Sequence, residues 1–136
     1  MSELVVTVLD DHFALGRLPA DAEVPAWVTH AAAFLTVSRT PTELSIVADE
    51  RAIPAEVVAQ RGYRALRVEG PLPLELVGVL AALAAPLAAA GVPIFPIATY
   101  DTDYLFVPGV ELERAVTALV AAGHRVLEPS EPGRGP

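Results

Sequence analysis

The feature that most constrains this chain is an uncharged segment at residues 76–98 that proline and glycine interrupt. The segment is long enough to cross a bilayer as one helix. However, Pro86, Gly91, Pro93 and Pro96 would break such a helix. The segment is therefore predicted to form a helix, a turn and a strand, and no membrane span is expected.

The second half of the chain alternates strand and helix patterns. Residues 64–70 alternate charged and apolar side chains, as a half-buried strand does. A long helix is predicted at 71–91, with leucines at three- and four-residue steps and Gly91 as its C-terminal cap. The other predicted elements are a strand at 92–99, a turn at 100–103, a strand at 104–108, a helix at 110–123 and an edge strand at 124–129.

The pattern of the first half predicts the same order of strands and helices as the second half, with a weaker first helix. A valine-rich strand at 4–9 is followed by a loop that contains Asp10, Asp11, Gly16 and Pro19. The remaining predicted elements are a short, imperfect helix at 21–31, strands at 33–38 and 43–48 joined as a hairpin, and a short helix at 54–62.

An internal repeat connects the two halves. The stretch "FLTVSRTPTELSIV" aligns with "FPIATYDTDYLFV" with one gap, which places Ser38 on Thr99 and Glu43 on Asp103. A repeat of about sixty residues predicts two copies of one small α+β unit. The units are predicted at 1–62 and 63–128, with a disordered tail at 129–136. Seven strands are visible where two copies need eight, so the strand at 64–69 could be shared or exchanged.

The composition excludes several classes of function. The net charge is −8, and the nine basic residues are arginines that stand singly, so binding to nucleic acid is not expected. The chain has no Cys, which excludes disulfides and thiolate metal sites. The first residues, "MSELVVTVLDDH", lack the positive start of a signal peptide. A cytoplasmic location is therefore predicted.

Several motifs resemble those of a known family. The stretches "ELSIVADE", "EGPL", "APLA" followed by "AGVPIF", "TYDTDY" and "LERAVTALVAAGH" are similar to the bacterial tandem ACT-domain proteins, and the same pattern occurs in the animal cytosolic arginine sensor of the mTOR pathway. The resemblance covers residues 3–128. It implies an α+β fold of two tandem ferredoxin-like βαββαβ units, with an antiparallel sheet and helices on one face.

The resemblance also implies a function. ACT domains generally bind amino acids or other small effectors at the interface between two units, and they carry out no chemistry. Since the chain has half the length of the arginine sensor, a pocket that needs four units implies a homodimer, and a regulated protein partner is possible in this family. The residues that the resemblance assigns to the ligand are Gly78, Val79, Thr99, Tyr100, Asp101, Thr102 and Asp103, of which Asp103 matches the aspartate that holds the ligand's cationic group or amine. Gly70 is added as a ligand residue because a glycine lets the backbone come close.

The chemistry of these residues suits an amino acid. The start of the long helix presents free N–H groups and a partial positive charge to a carboxylate. Asp101 and Asp103 offer negative charge to an ammonium or guanidinium group. The alternative is that both aspartates only form the turn, bonding their own backbone. Pro86 cannot donate to the carbonyl of Ala82, which leaves that oxygen free for another donor or simply kinks the helix.

No catalytic constellation is visible in the sequence. The segment "DDH" at 10–12 has metal-ligand residue types, but adjacent side chains of a strand end point in different directions. His30 and His124 stand alone and are predicted to be partly exposed structural residues. An enzyme is therefore not predicted, and no cofactor is expected. The two alternatives to an effector-binding protein are a protein–protein interaction module without a pocket and a trans-acting regulatory subunit of a biosynthetic enzyme.

Overall fold

The computed structural model describes residues 3–73 and 75–128, which form two compact units. One unit, here called the middle unit, is Asp11–Tyr63; the other, the terminal unit, combines the residues up to Asp10 with those from Arg64 onward. The strands are β1 Val5–Val8, β2 Phe13–Leu18, β3 Leu35–Arg39, β4 Leu44–Asp49, β5 Ala59–Val68, β6 Phe95–Ala98, β7 Asp103–Pro108 and β8 Arg125–Leu127. The α-helices are α1 Val79–Ala89 and α2 Leu112–Ala121, and 3-10 helices span Ala26–His30, Glu50–Ala52 and Gly109–Glu111.

The middle unit is a sheet in the order β3, β4, β2, β5 with antiparallel neighbours. Leu15 lies opposite Val47, and Val37 opposite Ile46. Trp27 and Val28, from the first 3-10 helix, pack against the core without being fully buried. The buried core residues of this unit are Ala14, Leu44, Ile46, Ala48 and Ile53.

The terminal unit has the strand order β6, β7, β5, β1, β8. Strand β1 lies between two partners: Val6 is opposite Val68 of β5 in an antiparallel pair and opposite Val126 of β8 in a parallel pair. Both α-helices cover one hydrophobic cluster of this sheet. That cluster contains Leu4, Val6, Val8, Leu66, Val68, Val79, Leu83, Leu87, Val92, Leu105, Val107, Ala115 and Leu119. The predicted α+β class is confirmed.

Helix α1 is shorter than the sequence predicts. It begins at Val79 after Gly78, whose φ of 87° is outside the helical region, so Pro71 and Pro73 precede the helix. Leu76 therefore lies outside the helix, where it is 43% exposed, whereas Leu83 and Leu87 are buried as expected. The C-terminus is as predicted: Gly91 follows the last turn, and the N–H of Val92 bonds the carbonyl of Leu87 at 2.9 Å, which is a Schellman motif.

Helix α2 ends in the same motif. Gly123 has a φ of 98°, and the N–H of His124 donates to the carbonyl of Leu119 at 3.1 Å. Val110, the first residue of the helix predicted at 110–123, lies instead in the preceding 3-10 helix and is 92% exposed. Ala115 and Leu119 provide the buried face instead.

Two predictions for the middle unit are wrong. The loop expected after Asp11 contains strand β2, and the helix expected at 54–62 is replaced by the start of β5. Gly62 is the reason for the second error. It does not end a helix but has a φ of 77° within β5, where Phe13 is opposite Tyr63 and Leu15 opposite Gln60. The extra residue on β5 makes a β-bulge, which glycine permits because its φ can be positive.

The first strand belongs to the terminal unit and not to the unit that follows it in sequence. Its pairing explains this placement. Strand β1 pairs with residues 66–68 of β5 and with β8, and all of these residues belong to the terminal unit. Strand β5 crosses the boundary, with its residues up to Tyr63 in the middle unit and those from Arg64 in the terminal unit. In the described part of the chain, no helix is long and apolar enough to span a membrane. The tail predicted at 129–136 lies outside the described residues.

Candidate functional site

A cleft of about 260 Å³ opens in the terminal unit between the start of α1 and the turn from β6 to β7. All the predicted ligand residues except Gly70 line it. The full lining is Leu72, Pro73, Leu76, Gly78, Val79, Leu80, Ala98, Thr99, Tyr100, Asp101, Thr102 and Asp103. We call this space the α1 cleft.

The turn that forms one wall of the α1 cleft is closed by its first residue, Thr99. The N–H of Thr99 donates to the carbonyl of Thr102 at 2.8 Å, and the Thr99 hydroxyl donates to the same oxygen at 3.0 Å. The N–H of Thr102 returns a bond to the Thr99 hydroxyl at 3.3 Å. The side chain of Thr99 therefore shapes the turn, as threonine commonly does.

Two bonds attach this turn to the end of β5 and to the segment that follows it. The buried hydroxyl of Thr102 donates to the carbonyl of Val68 at 2.6 Å, and the N–H of Leu72 donates to the carbonyl of Asp101 at 2.7 Å. Gly70 lies at the contact: a Cβ there would be 3.1 Å from the carbonyl oxygen of Asp101 and 3.2 Å from the Cβ of Thr102. Gly70 thus permits the close approach that holds the turn in place.

The two carboxylates of the turn are free for a ligand. Among residues 3–73 and 75–128, the side chains of Asp101 and Asp103 have no hydrogen-bond or ion-pair partner, and no basic side chain of this part of the chain lines the α1 cleft. The alternative that they bond their own backbone in the turn finds no such bond here. Two uncompensated negative charges make the cleft attractive to cations.

The opposite wall is the start of α1. Gly78 has no side chain to cap the helix, and Ala82 donates the first bond of the helix, to the carbonyl of Gly78 at 2.9 Å. The earlier N–H groups of the first turn have no intrahelical acceptor, so this end can receive an anion. Two carboxylates and the uncapped start of a helix therefore line one cleft.

Three leucine side chains line the α1 cleft, and the sequence did not identify them. Leu76 and Leu80, each 43% exposed, line it together with Leu72. Tyr100 is 82% exposed. Val77, which lies in the chain between the lining residues Leu76 and Gly78, has the same exposure. The periodicity of the leucines suggested a buried helix face. The prolines before Leu76 were the available signal that the helix begins later.

Gly70 lines a different cleft, of about 360 Å³, together with Arg67, Glu69 and Tyr104. Here the charges are already paired. Glu69 accepts a bond from the Thr7 hydroxyl at 2.5 Å and one from Arg67 at 3.1 Å. The bond from Thr7 lowers the pKa of Glu69, and the charge of Arg67 lowers it further. Partial burial raises the pKa, but by less than these two effects lower it. This second cleft shares Asp101 and the threonines with the α1 cleft but offers a ligand less free charge.

Other polar residues singled out in the sequence do not assemble a site. The described part of the chain contains no group of three or more His, Asp or Glu side chains that could hold a metal ion. His124 is not partly exposed as predicted. It is buried, with 8% exposure, and bonds two backbone groups.

Comparison with known proteins identifies the domain. The ACT domain family model matches residues 58–121, and a second model, described as an N-terminal domain, matches residues 11–56. The solved structure of Atu0741 from Agobacterium tumefaciens is 30% identical, with a TM-score of 0.89 over 96% of this chain and 97% of that one. Comparison with curated proteins found no match.

Two more distant structures share the fold. A Vibrio cholerae protein described as of unknown function and a possible transport protein has 20% identity and a TM-score of 0.72, covering 88% of this chain and 90% of that one. The regulatory subunit of aspartate kinase from Thermus thermophilus, in its ligand-free form, has 19% identity and a TM-score of 0.61, covering 87% and 97%. The chain belongs to the same family as the Agobacterium tumefaciens protein and carries an ACT domain at residues 58–121.

Proposed function

We propose that this protein is a non-catalytic regulatory protein that binds an amino acid in the α1 cleft. The observation that carries the proposal is the pairing, in one cleft, of two free carboxylates with an uncapped helix start. An α-amino acid has the complementary charges, an ammonium and a carboxylate on one carbon. The ACT domain match and the fold shared with a regulatory subunit of aspartate kinase support the regulatory role.

Each part of the ligand has a partner in this proposal. The ligand carboxylate binds the free N–H groups that follow Gly78, and the ammonium pairs with Asp103. Asp101 supplies a second negative charge that a neutral amino acid leaves unpaired, so an amino acid with a basic side chain is favoured. The aliphatic stem of such a side chain would lie on Leu76 and Leu80. The cleft, at about 260 Å³, suits a small metabolite.

The proposal includes the tandem ACT arrangement, a homodimer and a regulated protein partner. Leu76 and Tyr100 place exposed apolar surface at the border of the α1 cleft, and Val77, which follows Leu76 in the chain, is also exposed. A second copy of the chain that covered this border would shield the ligand from water and bury the apolar surface. The ligand would then favour one arrangement of the two copies. A cytoplasmic location, predicted from the sequence, remains part of the proposal.

The first experiment is thermal unfolding in the presence of each of the twenty amino acids at a millimolar concentration. A ligand at a hundred times its dissociation constant stabilises the folded state by ~2.7 kcal/mol. We expect stabilisation by a basic amino acid that is lost in Asp103→Asn and reduced in Asp101→Asn. Glu56→Gln, which removes one exposed carboxylate of the middle unit, is the matched control and should bind normally. Absence of stabilisation by every amino acid would contradict the proposal.

A second candidate function is a protein–protein interaction module without a small ligand. The exposed apolar border, with Val77 and Tyr100 each at 82% exposure, favours it. This candidate predicts that Val77→Ser and Tyr100→Ser abolish association with the partner, whereas Asp103→Asn has no effect. Sedimentation with and without basic amino acids separates the two candidates, because only the first predicts a ligand-dependent change in association.

A further inference from the structure

His124 makes two side-chain bonds to backbone groups that are distant in sequence. Its Nδ1 lies 3.1 Å from the backbone nitrogen of Leu4, and its Nε2 lies 3.2 Å from the carbonyl oxygen of Ala82. A backbone N–H can only donate, so Nδ1 must be the acceptor and carry no proton. A ring with its proton on Nε2 satisfies both contacts, because that proton is donated to Ala82. The geometry therefore requires the neutral Nε2–H tautomer.

Pro86 explains why the carbonyl of Ala82 is available. In an unbroken helix the N–H of residue 86 would donate to the carbonyl of residue 82. Pro86 lies inside α1 and has no N–H, so the oxygen has no donor at that position. The sequence left open whether this proline only kinks the helix or frees an acceptor. In the structure the acceptor is used, and His124 supplies the donor.

The side chains around this bond are small. Gly78, Ala81, Ala82 and Ala122 line an open groove of about 450 Å³ beside His124. The other face of these turns is packed through Val79 and Leu83, which are buried in the core. On the face towards His124 the short side chains interlock weakly, and a directional hydrogen bond restricts the helix there.

His124 is itself held firmly at its backbone. It is the residue after Gly123 in the Schellman motif of α2, where its N–H bonds the carbonyl of Leu119. The ring then connects α2 to α1 at Ala82, and the N–H of Ala82 bonds the carbonyl of Gly78 at 2.9 Å. Gly78 lines the α1 cleft. A continuous set of bonds thus runs from α2 to the wall of the cleft.

We propose that His124 is a positioning residue for the α1 cleft: its bond to Ala82, which Pro86 makes possible, sets the position of the first turn of α1 that receives the ligand carboxylate. His124 touches no ligand in this scheme. The inference rests on the proposed function for its effect on binding, and on the structure alone for its effect on α1.

The test compares two substitutions of the same residue. His124→Gln keeps one donor and one acceptor at a similar spacing, whereas His124→Leu removes both. With L-arginine and L-lysine as probes, we expect His124→Leu to weaken binding about tenfold, the equivalent of one lost hydrogen bond. Binding is measured well below the unfolding temperature of each variant, and His124→Gln should bind like the unchanged protein. Equal affinity in all three proteins, or equal loss in both variants, would overturn the positioning role.

A second readout needs no ligand. Amide hydrogen exchange in the first turns of α1 should accelerate in His124→Leu but not in His124→Gln, while exchange at the start of β7 stays unchanged. Nitrogen-15 spectra of the imidazole should show the proton on Nε2. If neither probe binds the unchanged protein but exchange changes as expected, the preference for a basic amino acid is wrong and the effect of His124 on α1 stands. Unchanged exchange in α1, or a proton on Nδ1, overturns the inference whatever the ligand result.

Discussion

The hairpin of β3 and β4 and the hairpin of β6 and β7 have turns of the same chemistry. In the first turn the N–H of Thr40 donates to the carbonyl of Glu43 at 2.9 Å, and in the second the N–H of Thr99 donates to the carbonyl of Thr102 at 2.8 Å. Each threonine hydroxyl accepts an N–H of its own turn. Thr40 therefore corresponds to Thr99, whereas the sequence alignment had placed Ser38 there.

The two hairpins differ in where they are anchored. The second is held at its turn, through Thr102 and Leu72, and the residue after the turn is Asp103 in the α1 cleft. The residue after the first turn is Leu44, which is buried in the core. The first turn is largely exposed and contacts the guanidinium of Arg17, also on the surface, which donates to the carbonyl of Thr42 at 3.1 Å. The buried attachment of this hairpin is at its other end, where Asp49 accepts the N–H groups of Ala33 and Phe34. The same local turn thus forms either a ligand wall or an ordinary connection, depending on what it contacts.

The largest expected effect on stability is at Asp49, which holds the first hairpin. The carboxylate of Asp49, 2% exposed, accepts the N–H groups of Ala33 and Phe34 at 3.0 Å. Because bonds to a buried charged group are strong, Asp49→Asn should lower the free energy of unfolding by ~1.5–3 kcal/mol at pH 7. Urea unfolding measures it, and Glu56→Gln is the control.

The same substitution predicts a pH dependence. Burial raises the pKa of Asp49, but the N–H groups of Ala33, Phe34 and Ala32 together lower it below the ordinary 3.8. The stabilisation is therefore complete above pH 3.8 and is lost as the pH falls through the lower folded value. We expect the difference between the unchanged protein and Asp49→Asn to shrink in acid. A difference that grew as the pH fell would show that the bonds to the carboxylate are not its source.

The next effect concerns the close approach that anchors the second hairpin. A methyl group in Gly70→Ala would press on the backbone of Asp101 and Leu72, each at 3.1 Å, and should destabilise by ~1–3 kcal/mol. It should also weaken ligand binding by moving the turn. In Gly16→Ala, a control in the middle unit, the new Cβ would have its nearest neighbour at 3.6 Å, an ordinary contact. Equal stability of both variants would disprove the tight approach.

A smaller loss of stability is expected when the buried hydroxyl of Thr102, which also holds the second hairpin, is removed. Thr102→Val keeps the shape but leaves the carbonyl of Val68 without its 2.6 Å donor, which should reduce stability by ~1–2 kcal/mol. Thr42→Val changes an exposed threonine of the first turn and should stay within ~0.5 kcal/mol of the unchanged protein. Thermal unfolding of both variants side by side tests whether only the second turn is anchored.

The smallest effect tests what the turns share. Thr40→Ala and Thr99→Ala each remove the hydroxyl that closes a turn, so each should reduce stability by a similar ~0.5–1 kcal/mol. Only Thr99→Ala should also weaken binding of a basic amino acid, since only that turn lines the α1 cleft. A loss of binding in Thr40→Ala as well would mean that the two hairpins are not functionally different.

Sequence patterns were sufficient where a structure depends on neighbouring residues. The helix end at Gly91 and a turn between β6 and β7, predicted at 100–103 and closed at 99–102 in the structure, follow from backbone conformations that act over a few residues. The grouping of Gly78 with Asp103 in one site was implied by the resemblance to the tandem ACT-domain proteins. In the structure, all the predicted ligand residues except Gly70 line one cleft. Sequence patterns could not place Leu76 and Leu80 at its border, because a regular leucine spacing looks the same whether or not the helix has begun.

Only the tertiary structure decided the features that join distant residues. In the sequence, Gly62 indicates the end of a helix. In the structure it lies in a β-bulge of β5, which forms because β5 pairs with β2. Strand β1 is apolar enough for either unit, and its place follows from Val6 meeting Val68 and Val126. Likewise, Pro86 frees an acceptor, but only the fold brings His124 to it. Local sequence determines which conformations and bonding groups are offered, whereas the three-dimensional packing determines which distant partner takes them, because that choice depends on all the competing contacts at once.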